Sequence, residues 1–289
     1  MRTSSPGFVE HDDVRIVDVT GSDARGWLND LVTGPVGSLG PKEATRSLLL
    51  TPTGRIRADF FVVAAGGGEA FRLLQDRGQP EAIDQILAPY VLSSDVELSD
   101  ASERLALFSI PGVEEAPVAS EGVEAFAPSM LGPGAGLLVD RGRAPAVSRS
   151  LSSSVRAADR DALERWRIES GIPRCGTDFD IGALPAEASL ESAIDLTKGC
   201  FLGQESVAKV RNLGHPSTVL VALHAPTTVG TGDGVYADGT EIGNVTSVAP
   251  VEDGGTTLFA RVRFDAAHAE LSTYDGAVLS HRSVNATRT

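Results

Sequence analysis

The residue best suited to chemistry in this 289-residue chain is Cys200, within Lys198-Gly199-Cys200-Phe201-Leu202-Gly203-Gln204-Glu205. An ionised thiol is a nucleophile and a metal ligand. Gly199 and Gly203 on either side open backbone conformations closed to other residues and let a ligand or another segment approach. Residues 204–211 read as a short helix, so the cysteine sits in a loop feeding a helix start, where backbone amides favour anions. A tight turn around a buried, inert thiol is the alternative for a Gly-Cys pair. Lys198, Lys209 and Arg211 gather positive charge around this loop in a chain of formal net charge −14. They suit an anionic ligand tail or a thiolate, although solvated side chains of a short helix explain Lys209 and Arg211 equally well. Gln204 and Glu205 either touch a ligand or cap the turn.

The remaining inventory narrows the chemistry. The chain has two cysteines, Cys175 and Cys200, whereas a stable iron–sulfur cluster takes four protein ligands. Its five histidines show no spaced pair for zinc. Neither cysteine lies in a CxxC, so a reducing compartment is expected rather than a disulfide framework. The acidic balance argues against a nucleic-acid partner, which requires a basic face. The polar first thirteen residues do not read as a signal peptide. No apolar run approaches the roughly 20 residues of a membrane helix. The expectation is a soluble cytoplasmic protein.

These residues need elements to position them. Alternation predicts a strand over 14–19, followed by a helix capped by Thr20 with Asp23 in a capping-box-like place. Strands are expected over 44–50, 56–64 and 70–75, with Gly66-Gly67-Gly68 as a hairpin turn. A helix is expected over 80–92, then strands over 96–98, 105–110 and 137–140, with a long surface loop over 111–136 that has room for one strand. Asp159 opens a helix ending at Glu169, before the stop signals Gly171 and Pro173. Trp27 and Trp166, at helical spacing beside leucines, are expected in the core. Beyond His215-Pro216 the pattern changes to strands over 219–224, 234–236, 241–248, 256–264 and 277–281, which is the pattern of a small β-barrel. The expected division is 1–212 and 213–289, and strand-helix-strand-strand units occur twice in the first 140 residues.

The octet at 198–205 resembles the signature of the YgfZ family of folate-binding proteins linked to iron–sulfur cluster assembly and repair, within the glycine-cleavage T-protein (aminomethyltransferase) superfamily. Ile168-Glu169-Ser170-Gly171-Ile172-Pro173, Leu184-Pro185-Ala186-Glu187, Thr51-Pro52-Thr53-Gly54-Arg55-Ile56 and Val245-Thr246-Ser247 after Gly243 are similar to further segments of that family. The resemblance implies an α+β fold of two interleaved ferredoxin-like subdomains and a C-terminal antiparallel β-barrel, arranged as a three-part ring around a folate. It implies tetrahydrofolate or a derivative as the cofactor, and iron–sulfur proteins or their assembly machinery as transient partners. Glu169 becomes the candidate for gripping the pterin, since one carboxylate can accept from the adjacent ring N–H and exocyclic amine. Asp59, Gly199, Gly203, Gln204, Glu205, Lys209 and Arg211 join it as folate-binding candidates, with Cys200 and Lys198 as the reactive pair.

Phe201 stands where many relatives carry Tyr, so a phenol is not essential there. One departure bears on the chemistry. The T-protein has a pair of aspartates in the strand corresponding to Arg57-Ala58-Asp59-Phe60, and only Asp59 remains here. Alternation puts Ala58 and Asp59 on opposite faces, so Asp59 does not replace the missing acid. That favours an assembly or repair factor acting through Cys200 over an aminomethyltransferase. A binding-only folate or docking module is equally compatible with the sequence.

Overall fold

The computed structural model describes residues 5–68, 70–118, 121–252 and 254–282, and the chain divides into two compact units. The first unit comprises 5–158 and Ala193–Gln204. It carries β1 (Val9–His11), β2 (Val14–Thr20), α1 (Ala24–Leu31), β3 (Ala44–Leu50), β4 (Ile56–Ala65), β5 (Ala70–Asp76), α2 (Ile83–Leu87), β6 (Glu97–Asp100), β7 (Leu105–Pro111), β8 (Val123–Phe126), β9 (Gly134–Asp140) and α3 (Ala144–Ser152). These strands form a five-stranded sheet, β3-β4-β5-β2-β6, and a four-stranded sheet, β1-β7-β9-β8. The chain enters through the second sheet, builds the first, and returns, so the two α+β halves interleave. All strand pairs in both sheets are antiparallel.

β4 shows why alternation alone misleads in a buried strand. Ala58, Phe60, Val62 and Ala64 enter one apolar cluster with Leu28 of α1 and Ile83 and Ile86 of α2. Phe61 and Val63 enter another, with Leu107 and Phe126 of the second sheet. A strand covered on both faces reads as a continuous apolar run, and residues 60–65 are such a run.

The second unit comprises Asp159–Ser192 and 205–282. It contains α4 (Arg160–Glu169), α5 (Gln204–Leu213, whose first residue is grouped with the other unit), β10 (Thr218–Ala225), β11 (Gly234–Ala237), β12 (Thr240–Pro250), β13 (Thr256–Arg263), β14 (Leu271–Ser272) and β15 (Val278–His281). The six strands close into a barrel in the order β10-β13-β12-β11-β14-β15, with β15 returning to β10. Leu223, Leu258, Ala260 and Val262 point into it. The alternate residues Leu220, Ala222 and Phe259 point outward and pack with Ile168 of α4. Closure leaves no open sheet edge, and α4 covers part of the outside.

Several elements depart from their sequence expectation. Thr20 ends β2 rather than capping α1. Asp23 takes the cap position without a side-chain cap bond, and its carboxylate accepts instead from Asp95 N at 2.8 Å. The helix expected over 80–92 contracts to α2 and a 3₁₀ turn, Ala88–Tyr90. Asp159 does cap α4, accepting from Ala162 N at 2.7 Å. Trp166 is buried. Trp27 packs against the first cluster while its ring N–H donates to Tyr90 O at 2.9 Å.

Candidate functional site

The cysteine loop is built by its neighbours in sequence. Residues 193–204 are stitched to the junction of α1 and β3 through Thr33. The Thr33 hydroxyl donates to Ala193 O at 2.7 Å and accepts from Leu48 N at 2.8 Å, and Asp195 N donates to Thr33 O at 2.9 Å. Lys198 then reaches the end of α1. Its ammonium donates to Asn29 O and, at 2.5 Å, to Val32 O, and it lies 5.4 Å from the centroid of the Phe201 ring. A cation at a helix C-terminus is well placed against the dipole. Burial nonetheless pushes the Lys198 ammonium down to about 8, against the pull of Asp30 and Asp195.

Phe201 is buried and Leu202 packs on the first cluster. Gly203 has a φ of 84°, and a Cβ there would lie 2.5 Å from Thr51 O and 3.0 Å from the Leu50 Cβ. The loop therefore abuts the turn Thr51-Pro52-Thr53-Gly54, closed by Gly54 N donating to Thr51 O at 2.9 Å. Two segments singled out separately in the sequence thus meet. Gly199 differs: its φ is 110°, but a Cβ would meet no atom within 4 Å. Cys200, between these anchors, is exposed, and Cys175 is half-buried. Gln204 N donates to Phe201 O at 3.2 Å as α5 begins. Glu205, Lys209 and Arg211 are exposed on that helix.

On β4, Ala58 is fully buried and Asp59 faces the other way. Arg46 grips the Asp59 carboxylate with two charge-assisted bonds, Nε to Oδ1 at 2.8 Å and Nη2 to Oδ2 at 2.6 Å. Gln79 pins its backbone, accepting from Asp59 N at 3.0 Å and donating to Asp59 O at 2.6 Å. In the other unit Glu169 ends α4, and its Oε1 accepts from Arg282 at 2.8 Å. Asp59 and the Cys200 loop thus belong to one unit and Glu169 to the other.

Sequence reasoning missed a dense, buried polar constellation. Arg167, 2% exposed, donates to Asp178, whose side chain is fully buried, at 2.5 Å, to Ser247 at 2.6 Å and to Ile172 O at 2.8 Å. It also pairs with Glu164 and lies over the Phe259 ring, 5.4 Å from its centroid. Asp178 Oδ1 accepts from Thr246 at 2.7 Å and from Ser247 at 2.6 Å. Burial opposes the charge of Arg167, but Glu164 and Asp178 outweigh it and raise its pKa. A β-bulge in β12 between Val245 and Ser247 aims these hydroxyls at the carboxylate. Gly243 is obligatory beside it, since a Cβ would lie 2.0 Å from Arg261 O. The Val245-Thr246-Ser247 step was the available signal, and its partner lies 68 residues away.

Among the described residues no group of three or more His, Cys, Asp or Glu is arranged to hold a metal ion. No described helix is long and apolar enough to cross a membrane.

The crystal structure of the glycine cleavage system aminomethyltransferase T from Bartonella henselae superposes with a TM-score of 0.77, covering 96% of this chain and 85% of that one at 19% identity. The fold is that of the glycine-cleavage aminomethyltransferase. No family model matches the chain. It is 25% identical over 293 residues to the aminomethyltransferase of Streptomyces coelicolor, covering 89% of this chain and 77% of that protein. It is 24% identical over 220 residues to the mitochondrial iron–sulfur cluster assembly factor IBA57 homolog of Neurospora crassa, covering 69% of this chain and about half (49%) of that protein.

Proposed function

We propose that this protein binds a reduced folate through Glu169 and supports the assembly or repair of iron–sulfur proteins through the Cys200 thiol. The observation that carries the reading is the division of labour in the octet. Lys198, Phe201 and Gly203 are spent on holding the loop, and the sulfur is left in solvent. A structural thiol is ordinarily buried, so an anchored backbone presenting an exposed one fits a group that meets a partner. Similarity to an iron–sulfur cluster assembly factor supports the same direction.

The folate is compatible with the residues present. Glu169 offers a carboxylate whose side chain is 11% exposed. The two oxygens of a carboxylate match the paired donors of a pterin, and Arg282 already holds one of them, Oε1, at 2.8 Å. Bound folate would supply or accept a one-carbon unit, and Glu169 would orient it. Lys209 and Arg211, exposed on α5, suit the anionic glutamate tail.

The test pairs complementation with labelling. Cys200→Ser should fail to restore activity of a cluster-dependent enzyme in a deletion strain, and iodoacetamide should label Cys200 faster than Cys175 at neutral pH. Full rescue by the Ser variant together with equal labelling would make the thiol structural and the protein a folate-binding module.

A second reading, aminomethyl transfer to tetrahydrofolate, is favoured by the fold and by similarity to an aminomethyltransferase over most of the chain. Two features weigh against it: Ala58 is sealed in the core, and Asp59 is occupied by Arg46. Ammonia release from an aminomethyl-loaded carrier protein at about 1–10 per second, ordinary for enzymes, would favour that reading. Little or no release is expected.

A further inference from the structure

The four-stranded sheet of the first unit ends at β8, which pairs with β9 along one edge. Just past the strand, Ala127 turns its backbone to the other edge. Its N–H donates to Lys42 O at 3.0 Å, and its carbonyl accepts from Ala44 N at 2.8 Å. Bonding direction alternates along an antiparallel strand, so Val123 and Ala125 present their N–H and C=O on that same outer edge. Among the described residues no hydrogen bond reaches those groups. No proline stands in 121–127 to take a donor from the edge. Beside it opens a cavity of about 940 Å³, with Ala64, Ala65, Ala116, Val118 and Ala125 in its wall. Glu114, Glu115 and Glu121 also line it and are exposed, and none of the three has an ion-pair partner among the described residues. Glu124 is already taken by Arg72, and Lys42 is the lining cation.

We propose that the outer edge of β8 takes an extended, lysine- or arginine-rich segment of a partner protein as an added strand. The segment pairs with Val123 and Ala125 as residues 42–44 pair with Ala127, so the chain itself supplies the first rung of the ladder. Unpaired strand edges accept a guest through main-chain bonds, while pockets for alternate side chains select its sequence. Here apolar side chains at every second position enter the cavity, and the basic ones meet Glu114, Glu115 and Glu121. Charge decides between occupants. A second copy of this chain brings a net charge of −14 and the same glutamates to the contact, and like charges brought together oppose association. A basic segment brings the opposite sign. The surface is independent of the folate reading of Glu169.

The experiment is a calorimetric titration of the full chain with a capped octapeptide of alternating lysine and valine. Two controls accompany it: the same peptide N-methylated throughout, which keeps its charge but cannot donate, and one with glutamate in place of lysine. The lysine peptide should bind and weaken with added salt, the N-methylated form should lose at least about tenfold, and the glutamate form should not bind. Ala125→Pro removes the outward N–H and spares the β8–β9 bonds, so it should weaken the lysine peptide roughly tenfold, the scale of one hydrogen bond. No binding of the lysine peptide, equal binding of the N-methylated form, or unchanged affinity in Ala125→Pro would overturn the proposal. Dimerisation of the wild type in sedimentation, abolished by Ala125→Pro, would give the edge to a second copy and overturn it too. If Ala125→Pro lowers the thermal midpoint, Glu114→Gln, Glu115→Gln and Glu121→Gln are combined instead. Weaker binding with a flatter salt dependence then supports the proposal, and unchanged binding overturns it.

Discussion

The Arg167–Asp178 cluster of the barrel unit and the Cys200 loop of the other unit both gather charge, and they use it in opposite ways. In the barrel, two buried ions satisfy each other and two hydroxyls, and every named partner belongs to the protein. In the loop, the cation Lys198 binds backbone at the end of α1, and the group it steadies faces solvent. A closed network buried at 2% and 0% exposure specifies packing. A braced loop with an exposed sulfur leaves that atom open to a partner, as the proposed function requires. The difference teaches that a dense polar cluster can be wholly occupied in packing, and it is on the anchored, exposed thiol that the proposed function rests.

The strongest way to break this contrast is Asp178→Ala. It strands the Arg167 guanidinium without its buried counter-ion and should cost about 3–5 kcal/mol, read as a drop in the denaturation midpoint. The exposed Cys200→Ser should by comparison stay within about 0.5 kcal/mol of wild type. Comparable losses at the two sites would mean that the thiol also packs.

A finer test sets the two loop glycines against each other. Both occupy positive φ, which costs a side chain about 1–2 kcal/mol, but only Gly203 also has its Cβ position filled. Gly203→Ala should therefore lose a further ~1–3 kcal/mol from overpacking against Thr51 and change the alkylation rate of Cys200, while Gly199→Ala pays the backbone cost alone. Equal destabilisation would remove the distinction between anchor and open flank.

A further test is a pH dependence. Lys198 falls from 10.5 to about 8 in the folded protein through burial. Between those values the unfolded chain holds a proton the folded one has released, so stability rises as pH climbs from about 8 to 10.5 and is lost as pH falls back through 8. Lys198→Met should flatten that rise in unfolding free energy, whereas Arg167, with its pKa raised, gives the barrel unit no matching slope.

Local pattern made a good part of this protein legible. Alternation marked most strands of the first unit and the barrel, because side chains of period two must segregate inside from outside. The octet identified the one exposed cysteine, since glycines at its flanks announce a backbone that is bent for a reason. Helix ends were less legible. Thr20 looked like a cap but was drawn into β2 by pairing with Glu97, and α3 escaped notice because Pro145 and scattered polar residues obscure its apolar face. Side-chain partners were illegible altogether. Lys198 meets carbonyls 166 and 169 residues away, and Asp59 meets Arg46 only because β3 and β4 pair in one particular register.

The sequence by itself determined the α+β halves, the closing barrel and the residue types available for chemistry, because these follow from periodicity, turn residues and composition within a few residues of each position. Only the tertiary structure decided which charges are spent. It assigned Lys198 to a helix end, Asp59 to Arg46, Asp178 to Arg167 and Glu169 to Arg282, and it left Cys200 exposed. Such pairings depend on distances between chain-remote atoms, and hydrogen bonds and ion pairs weaken steeply with distance and misalignment, so no local pattern carries them.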